Sequence, residues 1–295
     1  SVLRSLKRQL PAGIPASAGR PKGDGFAAAR GFAPGKAFPF AITDVRLAPM
    51  IDLHTHILPG IDDGPETWDD SLALARALVG SGVTEVSATS HIKPPHWLNE
   101  RASLSALRRQ LSEKLAAESL ALKVHPGAEH WWCGQVLDSL QDGGGQPYGE
   151  GRAFLVEIHP PDEPVMFSER LFALRRRGLL PVLAHVERYA IFDGKAGLQR
   201  LERLVAQGIV AQINLGSLAR GFGWSRGGNA KKFLKAGLIG LVCGDCHRAS
   251  DVDIAYGRGL DALRGIVGDD GVGYLMQGNP GRLLRGLEVD PWRPV

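Results

Sequence analysis

The chain has 295 residues, 44% hydrophobic and 22% charged, a globular balance that excludes wholesale disorder and collagen-like repetition. No run approaches ~18 consecutive apolar residues, which excludes a membrane-spanning helix. Cys133, Cys243 and Cys246 are too few for a disulfide framework, and they favour a reducing compartment, the cytoplasm. The formal net charge of +4 invites a nucleic-acid reading, so its distribution matters.

Residues 1–49 hold eight basic and two acidic side chains, whereas 50–295 hold 27 basic and 29 acidic ones. The positive excess therefore belongs to a leader rich in Gly, Pro and Ala, with no sustained period, that reads as disordered. The leader lacks the ~7–15-residue apolar stretch of a secretory signal, and its acids and prolines argue against an organelle transit peptide. With Met50 as the first methionine, it reads as upstream sequence, and 50–295 as one catalytic domain. Nucleic-acid binding loses its compositional support.

From Met50 onward, short apolar runs at 50–54, 83–90, 122–128, 153–158, 180–185, 209–214 and 238–243 predict strands buried on both faces. Amphipathic stretches lie between them. Leu72, Ala75, Leu78 and Val79 follow a helix start at Pro65-Glu66-Thr67, and Leu104, Leu107, Leu111 and Leu115 keep helical spacing. Further helices are expected over 168–177, 198–207 and 229–236. Gly82, Gly178, Gly208 and Gly237 stand where a helix ends in a residue of positive φ. The alternation implies parallel β-α-β units in a closed or nearly closed TIM-barrel-like α/β barrel, or else an open doubly wound sheet.

The polar residues that punctuate the runs carry the chemistry. His54 and His56 end the first strand, His91 the second, Glu129 the third, Glu157 the fourth and His185 the fifth, and Asp245 and His247 follow the last. The C-terminal ends of barrel strands share one mouth, which Asp63 reaches from the loop Gly60–Gly64. Imidazole and carboxylate suit Mn, Fe or Zn, and this set exceeds what one or two tetrahedral sites need. Singly, His91 or His185 reads as a hydrogen-bonded core histidine. Glu157 in an apolar strand is harder to set aside, because an unpaired buried carboxylate costs several kcal/mol. His96, His125, His130 and His159 fall off the pattern, as surface or supporting groups. Lys93 and His96 lie in the loop after His91, within reach of an anionic substrate.

Cys243-Gly244-Asp245-Cys246-His247 matches a redox Cys-x-x-Cys and the Cys-x-x-Cys-His of haem attachment. Two metal ligands on one turn, Asp245 and His247, explain it better, with the cysteines as semi-buried filler.

Met50–His56, Ile61–Gly64, Ala88–His91, Gly127–Glu129, Val156-Glu157, Pro181–Tyr189, Gln212–Leu218, Gly244–His247 and Gly278-Asn279-Pro280 together resemble the PHP (polymerase and histidinol phosphatase) superfamily. More narrowly, they resemble its bacterial tyrosine-protein phosphatases from capsule and exopolysaccharide loci, over nearly everything outside the leader. The resemblance implies a distorted seven-stranded (β/α) PHP barrel and three divalent ions, manganese before iron or zinc. By position, His54, His56, Glu129 and Asp245 would hold one ion, Glu129, Glu157 and His185 a second, and Asp63, His91 and His247 a third. Arg188 matches the arginine that grips the substrate phosphate, and the catalytic set becomes Arg188, Asp63, His91 and His247. The family's Arg-Pro-Pro after the Asp-x-His is replaced by Arg248-Ala249-Ser250, so one phosphate-binding arginine is missing from its place, with Arg248 as the substitute.

The expected reaction is hydrolysis of a phosphotyrosine ester by a metal-activated hydroxide. The implied substrate is a phosphotyrosine protein, the tail of a bacterial tyrosine kinase that governs polysaccharide export, with oligomeric state left open. Other readings are a histidinol phosphatase or nucleotide phosphoesterase of the same superfamily, or a non-catalytic metal-binding regulator. An amidohydrolase would carry a metal-bridging lysine where Glu157 stands.

Overall fold

In the computed structural model, residues 49–159, 164–219 and 227–294 are described, and the leader expected to be disordered lies outside them. The apolar runs form parallel strands. β1 (Met50–Thr55), β2 (Val83–Ala88) and β5 (Lys123–Pro126) make one sheet, in the order β1-β2-β5. The second sheet has the order β10-β9-β8-β7-β6-β3-β4. Its strands are β3 (His91–Lys93), β4 (Trp97–Leu98), β6 (Glu129–Trp131), β7 (Ala153–Glu157), β8 (Leu180–Leu183), β9 (Val210–Asn214) and β10 (Ile239–Cys243). Among the described strand pairs, β3–β4 alone is antiparallel. β1, β9 and β10 are buried along their whole length, as strands covered on both faces must be.

From β6 to β10 neighbouring strands follow chain order, with β3 beside β6 and β4 at the edge beyond it. The end of β1 also meets the segment after β10, where the Asp245 amide donates to the His54 carbonyl (2.8 Å) and the His56 amide to the Cys246 carbonyl (3.0 Å).

The second and third runs, expected over 83–90 and 122–128, end as strands at Ala88 and Pro126, and after breaks at Thr89-Ser90 and Gly127-Ala128 the chain resumes as β3 and β6 beyond the expected runs. Each break carries the chain from one sheet to the other. The Glu129 amide reaches the carbonyls of Thr89 and Ser90, so the two breaks lie side by side.

Helices pack between the strands: α1 (Trp68–Gly80), α2 (Arg101–Ala117), α3 (Gly134–Gln141), α4 (Phe167–Arg176), α5 (Gly194–Ala206), α6 (Leu215–Leu218) and α7 (Gly227–Lys235). The start expected at Thr67 is a capping box in which its hydroxyl and the Asp70 carboxylate satisfy each other's backbone amides. The four expected helix-ending glycines have φ between +69° and +88°. α3 was not expected, nor was the helical run α8 (Ala249–Val252), α9 (Leu260–Gly273) and α10 (Asn279–Leu284) with wide turns between. Its glycines depress helix propensity and hide the period. Gly259 is there for close packing, since a β-carbon would lie 2.4 Å from the Leu215 carbonyl oxygen. Among the described residues no helix is long and apolar enough to cross a membrane.

Leu53, Leu155, Val182, Val210 and Leu241 pack into one cluster across the strands, against Leu283 of α10. His130, expected at the surface or in support, is fully buried. Its Nδ1 donates to the Leu155 carbonyl (2.8 Å) and its Nε2 accepts from the Gln146 amide (3.1 Å), which fixes a neutral tautomer. Burial lowers its pKa from 6.5 to about 4. A depressed histidine pKa means the unfolded chain binds the extra proton between those values. The stability tied to neutral His130 is therefore complete above pH 6.5 and is lost as the pH falls towards 4, amounting to about 3 kcal/mol. Denaturant midpoints of the metal-free protein should show this acid limb, and His130→Asn should flatten it.

Candidate metal centre

The site begins with β1. Asp52 is fully buried, and burial raises its pKa. It accepts hydrogen bonds from Tyr256 Oη (2.6 Å), the His54 amide (2.9 Å) and the Gly244 amide. These bonds tie the strand end to the loop that carries Asp245 and His247. Gly244 is needed there, because a β-carbon would lie 2.8 Å from the Asp52 carboxylate.

Glu129, 1% exposed, is the centre of the arrangement. Its Oε1 lies 3.4 Å from His54 Nε2 and 3.1 Å from His185 Nε2, and its Oε2 lies 3.4 Å from His56 Nε2 and 3.1 Å from His91 Nδ1. Although burial opposes ionisation, His54 and His91 hold its carboxyl well below the usual range. Asp245 Oδ1 is 3.2 Å from His54 Nε2 and 3.6 Å from His56 Nε2. Asp63 Oδ1 is 3.5 Å from His91 Nε2 and 3.4 Å from His247 Nε2. The His247 ring stacks on His56, with centroids 4.0 Å apart.

All nine expected ligands thus converge. Donor atoms within 4.8 Å of one another form four overlapping groups: His54-His56-Asp245, His54-Glu129-His185, His91-Glu129-Glu157 and His56-Asp63-His91-His247. His91 belongs to two of them, so it touches the Glu129–Glu157 side as well as Asp63 and His247.

The electrostatics describe a site short of positive charge. Burial opposes protonation of His54, yet Asp245 and Glu129 outweigh it and push the pKa up to about 9. Burial, then Glu129, raises Glu157 to about 8. The protons on His54 and Glu157 stand where a cation would be held instead. His91 Nδ1, facing Glu129 and Glu157, is buried without a hydrogen-bond partner, as is His185 Nδ1. Imidazole and carboxylate donors around unpartnered ring nitrogens fit divalent metal ions. His185 (φ +30°) and Asp245 (φ +54°) both lie in the left-handed region, a local strain of the kind that concentrates at functional sites.

Several residues that hold the donors in place were quoted in sequence motifs but given no role. Asp62 is buried; its Oδ2 accepts from His56 Nδ1 (2.9 Å) and the His91 amide (3.1 Å), and its Oδ1 from the Gly64 amide (3.0 Å). Gln212 Oε1 accepts from the His185 amide (2.7 Å) and lies 3.3 Å from His54 Nδ1. Asn214 Nδ2 donates to Asp245 Oδ2 (2.6 Å). Buried amides in the apolar strand β9 were the available signal, since such groups are costly unless hydrogen-bonded.

Arg188 borders the cluster, with Nη2 3.2 Å from Asp245 Oδ2. Its Nε is buried and without a hydrogen-bond partner. Lys93, expected in a loop, is on strand β3, with Nζ 3.3 Å from Glu157 Oε2. Arg248 is exposed. Cys243 and Cys246, expected to be semi-buried, are fully buried, and burial pushes both thiols well up, away from redox reactivity.

Fold and site together define the class, a parallel α/β protein with clustered imidazole and carboxylate donors at its strand ends. Residues 50–285 match the sequence model of the CpsB/CapC family, described as capsular polysaccharide synthesis, and the chain belongs to that family. It is 32% identical to the tyrosine-protein phosphatase YwqE of Bacillus subtilis over 249 residues, covering 83% of this chain and 96% of that protein. It is 24% identical to the tyrosine-protein phosphatase CpsB of Streptococcus pneumoniae, covering 80% and 98%. A crystal structure from work on YwqE and CpsB, described there as unique metal-dependent tyrosine phosphatases, superposes with a TM-score of 0.74 at 30% identity, over 83% of this chain and 99% of that one. A β-aspartyl dipeptidase from Fervidobacterium islandicum shares the fold alone, with a TM-score of 0.51 at 12% identity over 82% of each chain.

Proposed function

We propose that this protein is a metal-dependent protein-tyrosine phosphatase acting on a bacterial tyrosine kinase that regulates capsule or exopolysaccharide synthesis, in the cytoplasm. The observation that carries the reading is the Glu129-centred cluster with Arg188 at its edge. On this reading residues 50–295 are one PHP domain. The β2–β3 and β5–β6 pairs each count as one interrupted strand of a distorted seven-stranded barrel, a view supported by the bonds between β1 and the segment after β10.

Three divalent ions, manganese first, would be held by His54, His56, Glu129 and Asp245, by Glu129, Glu157 and His185, and by Asp63, His91 and His247. When bound, such ions lower the pKa of water to near ~7 and neutralise phosphate charge. Asp63, 51% exposed, and His247, 26% exposed, lie at the more open side with the buried His91 beneath them, so an ion held by these three would be the first to meet the incoming ester. Arg188, oriented by Asp245, grips the non-bridging phosphate oxygens through its guanidinium fork. Lys93 supplies a second cation, and it is better placed than Arg248 to offset the missing family arginine. A tyrosine leaving group departs as a phenolate (pKa about 10), which needs less protonation than an alkoxide.

Asp62 fixes the His56 tautomer and the start of β3. Asp62→Asn should weaken metal binding about 10–100-fold, read by calorimetric titration with Mn²⁺. An unchanged affinity would remove Asp62 from the account.

A substrate panel tests the function. The metal-loaded protein should release phosphate from a phosphotyrosyl peptide in preference to histidinol phosphate or an oligonucleotide. Preference for either of the latter would move the assignment to another branch of the superfamily, and no turnover of any would favour a regulator.

A further inference from the structure

Strand register puts the cluster and its rim in two successive rows. In the inner row, His91 of β3 is paired with Glu129 of β6. Two residues further along, Trp97 of β4 is paired with Lys93 of β3, and Trp131 of β6 with Glu157 of β7. Alternate residues share a face, so Lys93 and Trp131 stand on the same side of the sheet as His91 and Glu129, about 6–7 Å further along the strands. Contacts confirm the row. Lys93 Nζ lies 3.7 Å from the Trp131 ring centroid, 5.8 Å from that of Trp97, and 3.3 Å from Glu157 Oε2. Trp97 also stacks flat on His91, with centroids 4.8 Å apart and 6° between the planes. Both tryptophans remain partly exposed.

We propose that Trp97, Lys93 and Trp131 form a subsite for the aromatic ring of the phosphoester and set a preference for aryl over alkyl phosphates. The proposal rests on the phosphatase reading above. With the phosphoryl group at the inner row, the ester oxygen faces the Lys93 ammonium and the ring packs on the indole surfaces one row out. Large, rigid aromatic surface gives ring–ring contact at small entropic cost, and a cation held over an indole is pre-positioned to meet a phenolic oxygen. An alkyl ester would use the lysine and leave the indoles wet.

The test is binding of two inert phosphate mimics, phenylphosphonate and methylphosphonate, to the manganese-loaded protein by calorimetry. Wild type should prefer phenylphosphonate by about tenfold or more. Trp131→Leu should reduce that preference to about twofold or less, with methylphosphonate affinity and metal content nearly unchanged, and Trp131→Phe should keep most of it. Trp97→Leu provides a second variant on the other side of Lys93. Equal affinities in wild type, or a preference that survives Trp131→Leu and Trp97→Leu, would overturn the subsite and leave the phosphatase reading intact. If neither mimic bound, the phosphatase reading itself would fail, and the subsite with it.

Discussion

Replacing Glu129 with Gln is expected to lower phosphatase turnover roughly a thousandfold, because it removes the one carboxylate shared by four imidazoles. The substitution nearly preserves shape, so packing around a side chain that is 1% exposed is little disturbed. It changes charge and donor pattern. One carboxylate oxygen becomes an amide that presents N–H to ring nitrogens meant for cations. Two of the four donor groups lose their common member, so metal content should fall along with turnover. A second signature is independent of activity. With Glu129 neutral, the His54 pKa in the metal-free protein should drop from about 9, since Asp245 alone then opposes the cost of burial. NMR titration of the imidazole would read it. An active, metal-replete Glu129→Gln protein would remove the carboxylate from the centre of the account.

Arg188→Ala is expected to cost about a hundredfold in kcat/KM towards phosphotyrosine. Arg188 is held by Asp245 on one side and has a buried, unpartnered Nε, so one donor is poised for an anion before substrate arrives. A phosphate that gains negative charge in the transition state engages the fork more strongly than in the ground state, so kcat should fall as well as affinity. Arg188→Lys should recover only part of the loss, because a single ammonium cannot reproduce the bidentate geometry. Full activity in Arg188→Ala would transfer phosphate gripping to another cation, with Lys93, held at Glu157, the candidate.

How legible the site was in the sequence depended on residue type. Most of the clustered imidazoles and carboxylates were readable because His, Asp or Glu at the end of an apolar run is conspicuous, and parallel strands carry such ends to one side. The joint spacing did more than any single residue. Asp52 and Asp62 were less legible because each stands close to a more conspicuous residue, His54 and Asp63, and only the structure shows Asp62 turned onto His56 and the His91 amide. Gln212 and Asn214 carried the buried-polar signal, but their partners are distant in sequence. The Trp97–Lys93–Trp131 row could not be read at all. It depends on the β3–β4 hairpin and on the break at Thr89-Ser90, where the second run leaves one sheet for the other. In the fold, apolar strands and glycine-capped helices stood out, whereas the glycine-rich stretch from Ala249 concealed helices, with Gly259 between α8 and α9 allowing close approach to α6.

The most direct test of metal-dependent tyrosine phosphatase chemistry is phosphate release from a phosphotyrosyl peptide by the full chain. It would be measured after exhaustive chelation and again after stepwise return of Mn²⁺, with bound metal counted at each step. No release is expected from the stripped protein, and recovery should track occupancy of the Glu129-centred cluster, saturating at three ions per chain. Undiminished release from protein shown to be free of metal would contradict this expectation.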